Sequence, residues 1–347
     1  MKATAVQRRL LQAQQFPTGI PRLWCPMLTH FQAAREPDAG RIRAHLHALS
    51  PRVHGVLVPG STGEGWEMND ADILALLNIV LDAAQKSGVR VLVGVLKTSV
   101  EEMLACIDAM KVILEHPAVA GLTVCPPKGK ELSQPAILDG LASVLKLGWP
   151  TALYQLPQVT QNEMIAETVL ALAGEFFNFM LFKDTSGEDR VAKSGLDFGG
   201  VFLVRGAEQG GYAPWPRTAG GPYDGFLLST ANVFSRELDE MLRLLDEGNV
   251  AAAQAMSAKL VEVVSLAFAI VSDFPVGNAF ANANKMLDHC MAHGEEALLI
   301  DPPMLYSGTR LPKSFIECGL RLLRQHSLLP KIGYYSGCEN EVVRFIQ

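Results

Sequence analysis

The sequence lacks the features that mark several large classes of protein. Its charge is nearly balanced, with 30 Lys and Arg against 36 Asp and Glu in 347 residues, so no basic face for a nucleic-acid backbone is indicated. The longest apolar run, near Val261–Val271, is broken by Glu262 and Ser265 and falls short of the roughly 18 residues that a membrane span requires. We therefore expect a small-molecule partner, with neither nucleic acid nor membrane.

Cysteine pairs at metal-binding or redox spacing are also missing. The six cysteines form no CxxC pair and no zinc-like Cys/His spacing, which favours buried, reduced thiols in the cytoplasm and no metal. His45-Leu46-His47 is the one imidazole pair that invites a metal interpretation, but side chains at i and i+2 of a helix diverge, so we expect a surface position. The cysteines are Cys25, Cys106, Cys125, Cys290, Cys318 and Cys338.

The N-terminal segment has no acidic residue before Glu36. An organelle transit peptide would show that bias, although it would also be rich in hydroxyl residues, which are few here. We expect instead an N-terminal extension over residues 1–20, with a helix at Val6–Gln15 packed on the outside of the domain.

Eight short aliphatic or β-branched segments recur along the chain, each followed by a longer helical pattern. Their continuous apolar character is typical of parallel strands buried on both faces. Eight such units in roughly 220 residues predict an α/β protein with a (β/α)8 TIM barrel. The alternative, an open doubly wound sheet, would need a glycine fingerprint after the first strand, and Pro26–His30 contains none. The segments are Leu23–Leu28, Val53–Val58, Val89–Leu96, Ala120–Cys125, Thr151–Tyr154, Phe179–Phe182, Val201–Val204 and Gly225–Leu228.

The organisation that follows is a barrel with a helical appendage. We assign residues 21–236 to the barrel, which carries the site, and residues 237–347 to a C-terminal helical region. Phe274–Lys285 is a polar break that we interpret as a turn or subunit contact rather than part of a site. Gly206–Gly221 is rich in Gly and Pro at the exit of strand seven, where barrels place substrate contacts.

Lys183 ends the otherwise apolar sixth strand, and strand C-termini are where barrels carry their chemistry. An inward ammonium is costly to bury, so its pKa should fall and leave the amine able to form a Schiff base with a carbonyl. The alternative is a solvent-facing lysine at a strand terminus.

Two other strand ends carry suitable side chains. Gly60-Ser61-Thr62-Gly63-Glu64-Gly65 follows strand two, and its glycines and hydroxyls could gather N–H donors around a substrate carboxylate. Tyr154 ends strand five, where a phenol could reach the amine of the next strand and relay a proton. An ordinary βα turn and a packing tyrosine are the alternatives.

Taken in order, these motifs resemble the dihydrodipicolinate synthase and N-acetylneuraminate lyase family of class I aldolases. The likeness covers roughly residues 21–320 by order of elements. It rests on Gly60–Glu64, on Tyr154 with Pro157 and Thr160, on Phe182-Lys183-Asp184, on Asp224–Val233 and on Cys25–Thr29.

The resemblance implies roles for individual residues. Lys183 would form the imine with a 2-oxo acid, Ser61 and Thr62 would hold its carboxylate beside Gly60, and Tyr154 would be the acid/base. The backbone near Leu227 would face the bound acid. The family is usually a homotetramer without metal or cofactor. A polyhydroxyl tail, as in the sialic acid lyases, could touch Thr185, Glu208 and Ser229.

Departures from the family pattern leave the substrate open. Val159 stands where dihydrodipicolinate synthases carry an arginine that clamps the second substrate's carboxylate, which disfavours that activity. Pro126-Pro127-Lys128 replaces a tyrosine that reaches into the neighbouring subunit's site, and Lys128 could supply charge or nothing. His30 stands where the family usually has proline, with no consequence that we can derive.

We expect a Schiff-base lyase, an aldolase or hydro-lyase, for pyruvate or a 2-keto-3-deoxy sugar acid. The alternatives are a 2-oxo-acid sensor without turnover, and a barrel enzyme that binds phosphate at Gly60–Gly65.

Overall fold

The computed structural model describes residues 2–335; Met1 and residues 336–347, including Cys338, lie outside this range. Eight parallel strands close into a barrel in sequence order, with the first strand paired to both the second and the eighth. The predicted (β/α)8 barrel is therefore confirmed. Its strands are β1 (Leu23–Pro26), β2 (Gly55–Val58), β3 (Arg90–Val95), β4 (Val119–Val124), β5 (Thr151–Gln155), β6 (Phe179–Asp184), β7 (Phe202–Arg205) and β8 (Gly225–Leu227).

The barrel interior is filled by side chains rather than open. Trp24, Leu57, Leu92 and Met180 belong to a buried cluster inside the strands, as expected for a barrel of eight strands. Gly55 is required beside this cluster because a Cβ there would lie 2.3 Å from the Trp24 ring. The interior of the barrel is therefore a packed core, and we expect the chemistry at the C-terminal ends of the strands.

Helices follow the strands and begin where capping side chains allow. Asn69 caps α3 (Asp70–Ser87) and Gly88 ends it in a left-handed conformation, while Ser99 and Glu102 form a capping box on α4 (Val100–Ala109). The helices through the barrel are α1 (Lys2–Gln15), α2 (Ala39–Leu49), α3 (Asp70–Ser87), α4 (Val100–Ala109), α5 (Lys111–Leu114), α6 (Gln134–Leu145), α7 (Pro157–Thr160), α8 (Ala166–Glu175) and α9 (Arg190–Lys193), with a short hairpin of Phe31–Ala33 and Glu36–Pro37 after β1.

Helix α8 begins later than the sequence predicts. The helical pattern that follows Asn162 predicts a helix over Glu163–Ala173, whereas the helix starts at Ala166. The Asn162 amide instead donates to the carbonyls of Pro127 and Gly129, and Gln155 Oε1 accepts from the Met164 N–H. The polar side chains hold the loop after β5 in place of capping the helix.

Helix α1 covers the N-terminal end of the barrel rather than its outer side. Arg8 is completely buried and donates five hydrogen bonds to main-chain carbonyls. Gln12 adds bonds to the carbonyls of Met180 and Gly200. The segment predicted as an external helix is thus tied to β6 and to the loop before β7.

The C-terminal helices pack together beside the barrel. They are α10 (Ala231–Asp246), α11 (Val250–Val271), α12 (Ala279–His293) and α13 (Lys313–Gln325). Within residues 2–335, α11 is the one helix whose length and composition would suit a membrane span; it contacts α10, α12 and α13. The interpretation of Phe274–Lys285 as a turn is wrong in its second half, because α12 begins at Ala279.

His45 is buried, so its predicted surface position is wrong, whereas His47 is exposed. His45 Nδ1 lies 3.0 Å from His30 Nε2, and its Nε2 lies 3.0 Å from the Asn232 carbonyl. Asp288 lies beside both rings, but it is already paired with Arg41 and accepts a 2.6 Å bond from the Tyr334 hydroxyl. Hydrogen bonds thus account for this cluster, and His30 is part of it.

Candidate active site

The predicted residues converge on a small cavity at the C-terminal end of the barrel. Six of them line it: Ser61, Thr62, Tyr154, Lys183, Thr185 and Ser229. Pro26, Gly206 and Phe280 complete the wall; Gly206 begins the loop at which substrate contacts were expected, whereas Pro26 and Phe280 were not predicted as site residues. The cavity measures about 10 Å³, room for about one water molecule. Two larger clefts, of about 430 and 280 Å³, lie around Asp224 and around Arg41, away from Lys183.

Lys183 points into the barrel mouth and is only 4% exposed, which excludes the solvent-facing alternative. Its neighbour in register on β5 is Tyr154, and its Nζ lies 4.0 Å from the centroid of the Tyr154 ring. Among the residues that the structure describes, no carboxylate pairs with this amine. Burial therefore dominates and lowers the pKa of Lys183 to about 7, so that a large fraction of the amine is uncharged at neutral pH.

Gly206, just after β7, makes room for that lysine. A Cβ at this position would lie 2.6 Å from Lys183 Cε and 2.3 Å from Thr185 Oγ1. Its N–H donates to the Asp184 carbonyl at 2.7 Å, which fixes the close approach of the two strand ends. Only the glycine directly after a predicted strand hinted at this role in the sequence.

Tyr154 is buried with its phenol beside the Ser61 hydroxyl. Burial raises the pKa of Tyr154 well above its ordinary value, although the interaction with Ser61 acts in the opposite direction. The ring packs in an apolar cluster with Leu96, Cys125 and Leu156. The phenol is therefore protonated at neutral pH, in a state to donate a proton.

The glycine-rich loop after β2 leaves two amides available. The N–H groups of Gly63 and Gly65 turn back onto the Gly60 carbonyl, and that of Glu64 onto Ser61. In the described part of the chain, the N–H groups of Ser61 and Thr62 donate to no protein acceptor. Both residues line the cavity, so this loop can present two N–H donors and the Thr62 hydroxyl to an anion, while the Ser61 hydroxyl contacts Trp66.

Residues outside the barrel hold that loop in place, and sequence reasoning missed them. Glu64 has a left-handed backbone (φ 62°), which is unfavourable for a residue with a Cβ. Its carboxylate is bonded to the buried Lys285 ammonium of α12 and accepts a 2.9 Å bond from the Tyr306 N–H. Asn278 Nδ2 donates to the Ser61 carbonyl at 3.1 Å. The segment predicted as a turn or subunit contact therefore supports the candidate site.

Glu208 lies next to Ser229, and each of its carboxylate oxygens already accepts two hydrogen bonds. One carboxylate oxygen accepts from Ser229 Oγ at 2.6 Å and from the Thr230 N–H. The other accepts from Thr230 Oγ1 and from the Tyr212 hydroxyl, both at 2.9 Å. Thr185 Oγ1, in contrast, is buried without a hydrogen-bond partner in residues 2–335, so Thr185 rather than Glu208 is available to a ligand.

The other predicted positions lie farther from the cavity. Gly60 is the acceptor at the base of the loop, and the Leu227 side chain packs in the barrel interior. Val159, on the short helix α7, packs against the cluster around Tyr154. The Lys128 side chain is exposed, and its N–H donates to the Thr98 carbonyl.

Comparison with known proteins gives matches over most of the chain. The family model described as the dihydrodipicolinate synthetase family matches residues 21–286. A 4-hydroxy-tetrahydrodipicolinate synthase of Synechococcus is 28% identical over 279 residues, 77% of this chain and 86% of the relative. The synthase of Enterococcus faecalis is 24% identical over 251 residues, 72% and 84% of the two chains.

Solved structures share the fold. A prophage protein of Escherichia coli K12 from the dihydrodipicolinic acid synthase family, YagE in complex with pyruvate, superimposes with a TM-score of 0.72 at 19% identity, covering 89% of this chain and 99% of that one. A monomeric dihydrodipicolinate synthase variant gives a TM-score of 0.71 at 16% identity, with 89% and 98% covered.

Proposed function

Because this chain belongs to the dihydrodipicolinate synthetase family, and is thus an enzyme of the class I aldolase type of lyase, we propose that it forms an imine between Lys183 and a 2-oxo acid. The observation that carries the proposal is the buried amine of Lys183, with a pKa of about 7, in one cavity with Tyr154 and the Ser61–Thr62 loop. The 2-oxo acid that we propose is pyruvate or a compound that yields it.

The first step uses the uncharged amine. Its lone pair attacks the C2 carbonyl carbon, and the tetrahedral carbinolamine that forms loses water to give the imine. The protonated imine nitrogen then withdraws electrons from C3. Cleavage of the C3–C4 bond, loss of a C3 proton and elimination of a C4 hydroxyl all become accessible, and each requires one proton to be moved.

The loop after β2 is suited to the carboxylate of the 2-oxo acid. The N–H groups of Ser61 and Thr62 have no protein acceptor, and hydrogen bonds from N–H groups to a carboxylate are among the stronger ones. A carboxylate fixed there would hold the neighbouring ketone near the Lys183 amine, which removes the entropic cost of orientation from the reaction.

Tyr154 is the group that we assign to proton transfer. Its protonated phenol can donate to the oxygen that leaves as water, and the resulting phenolate can recover a proton from the substrate in a later step. Protonation of the phenol at rest agrees with its burial and with its raised pKa.

The contacts of Glu208 indicate which side chains can bind the hydroxyl groups of a substrate. Because both of its oxygens already accept two hydrogen bonds, it serves to orient Ser229 and Thr230 rather than to bind sugar hydroxyls. Thr185 and Ser229 remain the side chains for a hydroxyl group of a 2-keto-3-deoxy acid.

Dihydrodipicolinate synthase activity is the second candidate, because the curated relatives carry that name. It requires a carboxylate clamp near Tyr154, and Val159 cannot make one. Condensation of pyruvate with aspartate semialdehyde, measured with the wild type and with Val159→Arg, tests it. Substantial wild-type activity would establish this candidate, and a gain confined to V159R would support the assigned role of position 159.

Trapping the imine tests the proposal itself. Borohydride reduction in the presence of pyruvate should give a mass increment on the peptide that contains Lys183, and none in Lys183→Met. Lys130→Ala, a change at an exposed lysine, is the matched control and should be labelled as the wild type is. If no mass increment appears and inorganic phosphate competes for binding at Gly60–Gly65, a phosphate-binding barrel is favoured. If an adduct forms but no sugar acid is turned over, a sensor is favoured.

We also propose that the protein is a homo-oligomer in the cytoplasm. Size-exclusion chromatography with light scattering measures the oligomeric state, and cell fractionation measures the location.

A further inference from the structure

Trp66 follows the glycine-rich loop and is bonded to it. Its Nε1 donates to Ser61 Oγ at 2.8 Å, and its ring packs against the buried cluster that contains Tyr154 and Leu156. An indole N–H can donate a hydrogen bond but cannot accept one. The direction of this contact is therefore fixed, with Ser61 as the acceptor.

That direction constrains the next hydrogen bond. A serine hydroxyl has one proton and two lone pairs, and the indole occupies a lone pair on the side of Trp66. The Ser61 proton must point elsewhere, and the phenol oxygen of Tyr154 is the neighbouring group with which Ser61 interacts. Donation from Ser61 to the phenol oxygen leaves the phenol's own proton to be directed into the cavity, towards Lys183 and Thr185.

The surroundings of Trp66 favour a single direction. Leu96, Cys125 and Leu156 pack around the Tyr154 ring without any hydroxyl or carboxylate, so the hydroxyls beside the phenol are those of Ser61 and Thr185. With Ser61 as the donor, Thr185 is left as the neighbour that can accept the phenol proton. The segment Pro126–Lys128, at which the family resemblance led us to look for a tyrosine reaching between subunits, does not line the cavity. Residues of one chain are therefore sufficient to orient the Tyr154 phenol.

We propose that Trp66 is a positioning residue, which orders the series Trp66, Ser61 and Tyr154 so that the phenol proton faces the imine site. This inference rests on the proposed function, because it assumes that Tyr154 moves the proton. Trp66 itself transfers none: the phenol gives its proton to the reacting carbon or oxygen and recovers one from it, while the indole N–H bond stays intact.

The test follows a reaction that needs only pyruvate. An imine on Lys183 that equilibrates with its enamine exchanges the methyl protons of pyruvate for deuterium in D₂O, which NMR detects. Trp66→Phe keeps the aromatic packing and removes the N–H. We expect its adduct with pyruvate to form as in the wild type, its exchange rate to fall about 3- to 10-fold, and the pH profile of exchange to shift. Trp149→Phe, at the opposite end of β5, is the matched control and should exchange at the wild-type rate.

A double-mutant cycle separates positioning from packing. If Trp66 acts through Ser61, the variant carrying both Trp66→Phe and Ser61→Ala should exchange no more slowly than Ser61→Ala alone. Full additivity of the two effects, or wild-type exchange in W66F, would overturn the proposal. Trp66→His, which restores a ring N–H, should recover part of the rate, and it serves as the second variant if W66F does not fold. Absence of any adduct in the wild type would refute the proposed function instead.

Discussion

Arg8 at the N-terminal end of the barrel and Lys183 at the C-terminal end are both buried, and within residues 2–335 neither forms an ion pair. Five main-chain carbonyls surround the Arg8 guanidinium, and burial lowers its pKa only to about 10, so it stays charged at neutral pH. The Lys183 amine lies over the face of the Tyr154 ring and, within the described residues, forms no hydrogen bond; burial outweighs the opposing effects of Cys125, Glu208 and Cys25, and its pKa falls to about 7. The presence or absence of acceptors thus separates a structural cation from a reactive amine.

The largest effect is expected from removing the amine. Lys183→Met should abolish the reduced pyruvate adduct. It should also raise the thermal midpoint at pH 7, because it replaces a buried amine that is costly to desolvate with an apolar side chain of similar length. Mass spectrometry and thermal unfolding check the two halves. An unchanged or lower thermal midpoint would show that burying the Lys183 amine does not destabilise the folded state.

Removing the cation at the other end should have the opposite effect on stability. Arg8→Met leaves five carbonyls without their charged donor, and we expect a loss of about 3 kcal/mol or more in the free energy of unfolding. Urea unfolding measures it, with Arg9→Met, one position along the same helix and exposed, as the matched control. The folded fraction of R8M should still form the pyruvate adduct, and loss of the adduct at full folding would break the distinction between the two ends.

Gly206→Ala tests how closely the Lys183 side chain is confined. The added methyl would lie 2.6 Å from Lys183 Cε, so the amine must move, and adduct formation should slow about 10- to 100-fold. Gly40→Ala is the control, because its Cβ would meet only ordinary contacts at 3.5 Å or more. Equal rates in the two variants would show that the amine has more freedom than the geometry indicates.

The smallest effect is on pH dependence. The rate of adduct formation should rise as pH increases through about 7, where the Lys183 ammonium loses its proton, and then level off. The folded-state pKa lies below that of a free lysine, so the unfolded chain binds the additional proton between about 7 and 10.5. The contribution of Lys183 to stability therefore improves as pH rises through that window, and the destabilisation is complete below it. Rates that climb only near pH 10 would contradict the lowered pKa.

Periodicity and strand ends were sufficient to predict the barrel, its eight strands and four of the cavity residues, Ser61, Thr62, Tyr154 and Lys183, whereas Thr185 and Ser229 followed only from the family resemblance. They predict these because a parallel strand buried on both faces must be apolar throughout, so that Lys183 at the end of such a strand is conspicuous. The start of α8 was misplaced because the Asn162 side chain bonds to carbonyls 33 and 35 positions away in sequence. Sequence spacing gives no sign of such partners.

The sequence by itself determined the barrel, the reactive strand ends and the order of the site residues, since hydrophobic patterning and local capping are properties of short segments. Only the tertiary structure decided that Arg8 bonds to carbonyls at the N-terminal end of the barrel and that Lys285 and Asn278 hold the glycine-rich loop. It likewise decided that Gly206 makes room for the Lys183 amine and that Trp66 donates to Ser61. Each of these contacts joins residues that are distant in sequence or that a loop conformation brings together. The protonation state of Lys183 depends on the surroundings that these contacts create.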